Sequence, residues 1–100
     1  MAIDPALIGP TTFTVTQAIS SFNSFLPSFR EISQADPTDE SFVRDVRLGE
    51  FAAVLLALGI GGMTSALTGS AAPTTIAAMT SIGLVVLYEY ALTSGSQSHA

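Results

Sequence analysis

The run from Phe51 to Tyr88 is 38 residues long and contains no Asp, Glu, Lys, Arg or His. A helix that is apolar or small on every side must be buried on every side, by protein or by lipid. A chain of 100 residues has too little protein to enclose two such helices. The run therefore favours insertion into a lipid bilayer, with a hairpin buried inside a larger assembly as the alternative.

The uncharged run is too long for one membrane span. A bilayer core about 30 Å thick is crossed by roughly 20 helical residues. Near its middle the run contains Gly69, which is typical of a helix C-terminal cap, and Pro73, which is typical of a first helical turn. We therefore expect two transmembrane helices, 51–67 and 74–90, joined by a tight turn.

The N-terminal third of the chain has a different pattern. Residues 1–10 contain two prolines and a glycine, which predicts an irregular arm. From Thr14 onwards, apolar residues at steps of three and four predict an amphipathic helix, which Pro27 should divide. We expect this helix to pack against protein, and a position flat on the membrane interface is the alternative. The apolar face consists of Val15, Ile19, Phe22, Leu26, Phe29 and Ile32.

A new helix is expected where Asp36 precedes Pro37, because Asp is a good N-cap and proline is favoured at the first helical position. It should continue to about Leu67. The chain then divides into an N-terminal arm and amphipathic helix, 1–36, and a juxtamembrane helix, hairpin and short polar tail, 37–100. The predicted fold is all-α: an integral membrane hairpin of two transmembrane helices, preceded by an amphipathic N-terminal helix.

Small residues recur every four positions along the first predicted span, at Ala53, Ala57, Gly61 and Ser65. This spacing lets two helices approach closely in lipid, where the hydrophobic effect no longer drives their association. The pattern predicts a helix-packing face. Its partner is either the second span of the same chain or another copy in a homo-oligomer.

Charges and tyrosines suggest how the hairpin is oriented. Arginines precede the first span and the turn has no charge, so the positive-inside rule places both termini on the same, cytoplasmic or equivalent, side. In an antiparallel hairpin Glu50 and Glu89 lie at about the same depth. Glu89 is expected to pair with Arg47 of its own or of a neighbouring hairpin. The predicted interface anchors are Arg44, Arg47, Glu50, Tyr88, Glu89 and Tyr90.

The composition argues against several functional classes. The chain has no cysteine, no lysine and a net charge of −5, which disfavours thiolate metal sites and nucleic acid as a partner. The sequence shows no phosphate-binding loop, no metal-ligand cluster and no catalytic triad. We therefore expect no enzymatic activity, no cofactor, no metal and no small-molecule substrate; the expected partners are the lipid bilayer and other membrane proteins.

The order of the amphipathic segment from Thr14, the acidic break DPTDE at 36–40 and the hairpin 51–90 resembles small two-span membrane proteins of viruses with an internal membrane. The resemblance implies a multicopy structural protein of the virion or host cell membrane, in contact with capsid or other membrane proteins. Two alternatives are a holin-like pore-forming lysis protein and an accessory or ring subunit of a membrane complex. The tail TSGSQSHA lacks the basic charge of most holins, and Glu89 lies at the end of its span, unlike a ring carboxylate.

Overall fold

The computed structural model describes residues 5–36 and 38–98. It contains four helices: α1 (Pro5–Phe25), α2 (Phe29–Gln34), α3 (Glu40–Thr68) and α4 (Ala72–Ser98). No strand occurs among these residues. The all-α part of the predicted fold is confirmed, and α3 and α4 are each long and apolar enough to cross a membrane.

The first helix is longer than predicted. The irregular arm expected over residues 1–10 is wrong from Pro5 onwards, where α1 begins. Proline is well suited to this first position, because its missing N–H would have no partner there. Pro10 is accommodated inside the helix. The helix ends at Phe25, since the residue before Pro27 is disfavoured in the helical conformation, and α2 follows after the Ser28 cap.

The boundaries of the hairpin are set by side-chain and glycine caps. Asp39, and not Asp36 as predicted, is the N-cap of α3, and its carboxylate accepts a hydrogen bond from the Phe42 N–H at 3.2 Å. Asp36 instead accepts bonds from Thr38. At the other end Gly69 has φ +69°, a left-handed conformation that only glycine adopts without strain. This cap allows the chain to reverse into α4 within three residues.

Helix α1 packs along the length of the hairpin formed by α3 and α4. The Phe25 carbonyl, at the C-terminal end of α1, meets Gly49 near the start of the apolar part of α3. Nearer the other end of α1, Phe13 shares a groove with Met63 and Leu67. Helix α1 is therefore antiparallel to α3 and parallel to α4, and the predicted N-terminal arm forms one packed body with the hairpin.

The buried face of α1 is not the predicted apolar stripe. Of that stripe in α1 only Phe22 is fully buried, whereas Ile19 is exposed and Val15 is half-buried. The helix is rotated so that smaller side chains face the hairpin, which allows a closer approach. The fully buried positions of α1 are Thr14, Ala18, Ser21 and Phe22.

We predict that Gly61→Ala weakens the hairpin. A Cβ built at Gly61 lies 2.6 Å from the Ala77 Cβ and 3.0 Å from the Pro73 carbonyl oxygen, so the helices would have to move apart. Overpacking of this kind costs about 1–3 kcal/mol. The measurement is thermal unfolding in detergent, followed by circular dichroism.

Gly59→Ala is the matched control, because its Cβ would meet nothing within 4 Å. It should leave the melting temperature unchanged or raise it, since alanine is favoured over glycine in a helix by about 1 kcal/mol. Equal melting temperatures for the two variants would contradict a close contact at Gly61.

Candidate functional site

An ion pair links the two helices of the hairpin at the end away from the turn. Arg47 Nε of α3 donates to Glu89 Oε1 of α4 at 3.2 Å. The Arg47 side chain is 61% exposed and that of Glu89 is 32% exposed. A pair in this setting contributes at most about 1 kcal/mol. It links α3 and α4 at their charged end, defined here as Arg47, Glu50 and Glu89.

Glu50 occupies a different environment from the one expected of an interface anchor. The residue is only 6% exposed, and its Oε1 has no hydrogen-bond partner. Its charged neighbours are the Glu89 carboxylate and Arg47, one turn earlier on α3. Burial of an ionised group without a full set of partners is costly. The charged end therefore contains one carboxylate with an incomplete set of partners and one that is held by an arginine.

Tyr88 also differs from its predicted role at a membrane interface. Its ring stacks on Phe29 of α2 with centroids 4.2 Å apart and on Phe22 of α1 at 5.9 Å. The residue is 2% exposed, so it contacts protein and holds α1 and α2 against α4. Tyr90, by contrast, is 71% exposed, and Arg44 is exposed as well. Those two side chains are free to reach an aqueous or headgroup region.

The predicted small-residue face of α3 is buried inside the chain itself. Ala53, Ala57 and Gly61 are all buried. Gly61 lies against Ala77 and Pro73 of α4, so this part of the face packs on the second helix of the same hairpin. We call the buried small residues of α3 and α4 the seam: Ala53, Ala57, Gly61, Ala77 and Ser81.

Ser65, the fourth predicted packing residue, acts as a cap across the turn. Its Oγ accepts a hydrogen bond from the Thr74 backbone N–H at 2.9 Å and contacts the Thr74 hydroxyl at 2.7 Å. The first N–H groups of a helix have no partner within the helix. Ser65 therefore satisfies one such group of α4 and fastens the two helices together beside the turn.

Sequence reasoning missed two contacts. At Gly49 an added Cβ would lie 2.5 Å from the Phe25 carbonyl oxygen, so this glycine provides the space in which the end of α1 sits. The stacking of Phe29 on Tyr88 joins residues 59 positions apart in the chain. The sequence offered a signal only for the first contact, namely the single glycine between Arg47 and Phe51. A pair of aromatic residues on two different helices produces no periodic pattern in the sequence.

Large apolar side chains cover the outside of the hairpin. In the most apolar 18-residue windows of α3 and α4 only 17% and 22% of the residues are buried inside the chain, and the others are half-buried or exposed. Apolar surface of this extent marks a contact with lipid or protein. The exposed residues between the charged end and the turn include Phe51, Leu55, Leu56, Met63, Leu67, Met79, Ile82, Val86 and Leu87.

Comparison with protein families, with curated proteins and with solved structures finds no significant match to this chain.

We predict that Ser65→Ala loosens the turn end of the hairpin. The change removes the acceptor for the Thr74 N–H, and loss of a serine cap costs about 1 kcal/mol. Hydrogen exchange in detergent should show faster exchange at the first amides of α4. Thr68→Ala is the control, because the Thr68 hydroxyl bonds only to carbonyls of its own helix. Equal exchange in the two variants would argue against the cap.

We predict opposite consequences for two changes at Glu50. Glu50→Gln keeps the side-chain volume and removes a buried ionisable carboxyl group beside Glu89, so thermal stability in detergent should be unchanged or higher. Glu50→Lys places a longer, basic side chain in the same buried space and should lower stability by at least about 2 kcal/mol. Marked destabilisation by Glu50→Gln would show that the buried carboxylate has a partner that stabilises its ionised form.

Proposed function

We propose that the chain is a small, non-enzymatic structural protein of a membrane, with α3 and α4 inserted as a transmembrane hairpin. The observation that carries the proposal is the distribution of side-chain size. Small residues such as Ala57, Gly61 and Ala77 form the buried seam, while large apolar residues such as Leu55 and Ile82 face outwards. A water-soluble hairpin would have the reverse arrangement, with its large apolar side chains buried.

The dimensions of the hairpin suit a bilayer. The residues of α3 from Phe51 to Thr68 extend over about 27 Å at 1.5 Å per residue, which is close to the thickness of a hydrocarbon core of about 30 Å. Over this length the structure pairs the hydroxyls of Thr64 and Thr68 with carbonyls of the same helix. Such bonds reduce the cost of placing hydroxyls in an apolar medium.

The charged end sets the proposed orientation. All three arginines of the chain, Arg30, Arg44 and Arg47, lie between α1 and the uncharged part of α3. Under the positive-inside rule this end, together with the part of α4 that follows its apolar stretch at Thr93, faces the cytoplasm or its topological equivalent. The turn at Gly69 then faces the opposite side.

The proposed structural role rests on the buried seam and on the exposed apolar surface of the hairpin. The seam is filled by the chain's own helices, so association with copies or with other proteins would use the exposed surface. The resemblance in layout to small two-span proteins of viruses with an internal membrane supports a place in a virion membrane, in many copies and in contact with capsid or other membrane proteins. The position of Glu89 at the end of the hairpin, in an ion pair with Arg47, disfavours the alternative of an ion-translocating ring.

A holin-like pore is the second candidate, and one observation favours it. Thr12, Thr16, Ser20 and Asn23 form an exposed polar stripe along α1, beside the hairpin. In a ring of copies such a stripe would line an aqueous path. Purified protein in dye-loaded vesicles separates the two roles: a structural protein retains the dye, and rapid release at low protein density would favour the pore.

We predict that the chain stays in the membrane pellet when cell membranes are extracted with alkaline carbonate, and that only detergent releases it. Carbonate strips proteins held by charge or by surface contacts, whereas an inserted hairpin is retained by its apolar surface. Leu55→Arg together with Ile82→Arg, which places two charges on the exposed apolar surface, is the matched variant and should shift the chain to the soluble or aggregated fraction. Release of the unaltered chain by carbonate would refute the proposal.

A further inference from the structure

We propose that α1 is a third membrane-spanning helix, so that the N-terminal end of the described chain lies on the same side of the bilayer as the turn. This inference rests on the proposed insertion of the hairpin. It replaces the two-span topology predicted from sequence, in which both termini share one side. The exposed apolar side chains of α1 would then contact lipid acyl chains; they are Ile8, Phe13, Ile19 and Phe25.

The depth of α1 follows from its contacts with the hairpin. Its C-terminal end meets α3 at Gly49, next to the charged end. Its middle lies beside α4, where Ile19 shares a groove with Leu84 and Leu87. Towards the N-terminus, Phe13 lies beside residues of α3 that include Leu67, one residue before the end of that helix. Helix α1 therefore extends over the same depth as the apolar part of α3.

The absence of charge from α1 permits this position, although by hydropathy only α3 and α4 of the described helices qualify as spans. The 25 residues from Pro5 to Phe29 contain no Asp, Glu, Lys, Arg or His. The helix itself has 21 residues, about 31 Å at 1.5 Å per residue, which matches a hydrocarbon core of about 30 Å. Because α1 contacts α3 from Gly49 at one end to Leu67 at the other, it cannot lie flat on the membrane surface while the hairpin crosses it.

The polar side chains of α1 are compatible with the membrane interior. The buried hydroxyls of Thr14 and Ser21 donate to carbonyls one turn earlier, at 2.7 and 2.8 Å. Exposed serines and threonines can make the same bond, as Ser24 does at 2.9 Å. Gln17 is half-buried against the hairpin, and Asn23 lies two residues from the end of α1, level with the charged end.

The distribution of arginine agrees with a third span. Residues 1–29 contain no Lys or Arg, and Arg30 follows directly after the uncharged run. With three spans, Arg30 in α2 and Arg44 and Arg47 in the first turns of α3 all lie on one side of the bilayer. The turn and the start of α1 lie on the other side without a basic residue. This is the asymmetry that the positive-inside rule describes.

Single cysteines test the topology, because the natural chain has none. We choose Ala2→Cys before α1, Thr38→Cys between α2 and α3, and Ala71→Cys in the turn. Each full-length variant is expressed in cells, and sealed right-side-out and inside-out vesicles are treated with a membrane-impermeant maleimide. Labelling after the vesicles are opened with detergent gives the maximal extent of maleimide labelling at each site. Carbonate extraction shows whether each variant is inserted.

We expect the cysteines at positions 2 and 71 to be labelled in the same type of vesicle, and the cysteine at position 38 only in the other type. Labelling of positions 2 and 38 together, with position 71 labelled from the opposite side, would overturn the third span and leave the inserted hairpin intact. Labelling of all three positions in the same single type of sealed vesicle, with release of the chain by carbonate, would refute insertion itself.

Discussion

The close approach of α3 to α4 at Gly61 is the contact on which the rest of the structure depends. The space that a Cβ would need at Gly61 is already occupied by Ala77 and the Pro73 carbonyl. With the helices at this distance, the Ser65 hydroxyl reaches the Thr74 N–H near the turn, and at the far end Arg47 reaches Glu89. A larger residue in the seam would separate the helices and loosen both contacts.

Small residues in the seam also determine what the chain shows to its surroundings. Close helix packing leaves little room between the helices for large side chains, so the leucines, isoleucines and methionines of α3 and α4 are mostly directed outwards. In water this arrangement would leave a large apolar surface uncovered. In the proposed membrane setting the same surface is solvated by acyl chains, and packing of small residues supplies the association that the hydrophobic effect cannot.

The two ends of the hairpin are chemically distinct. The turn end is uncharged and is held by hydroxyl and backbone hydrogen bonds around Ser65. The other end contains an ion pair, the buried carboxylate of Glu50 and the ring of Tyr88 stacked between α1 and α2. This end is where all four helices come together, so a change at Tyr88 affects the position of α1 and α2 as well as the hairpin. Because the two ends differ in charge, the positive-inside rule can assign each end to one side of the membrane in the proposed topology.

Sequence alone determined the features that depend on residues close together in the chain. The left-handed cap at Gly69, the division at Pro27 and the two long apolar helices follow from local conformational preferences and from hydropathy, and the structure has each of them. Only the tertiary structure decided the rotation of α1 and its position along the hairpin, the burial of Glu50 and the position of Tyr88 between two phenylalanines. Periodicity shows that a helix has a distinct face, but it does not show which side chains another helix can approach. The apolar stripe of Val15 and Ile19 was the expected contact, and the smaller residues Thr14 and Ala18 were buried in its place because they let the backbones come closer.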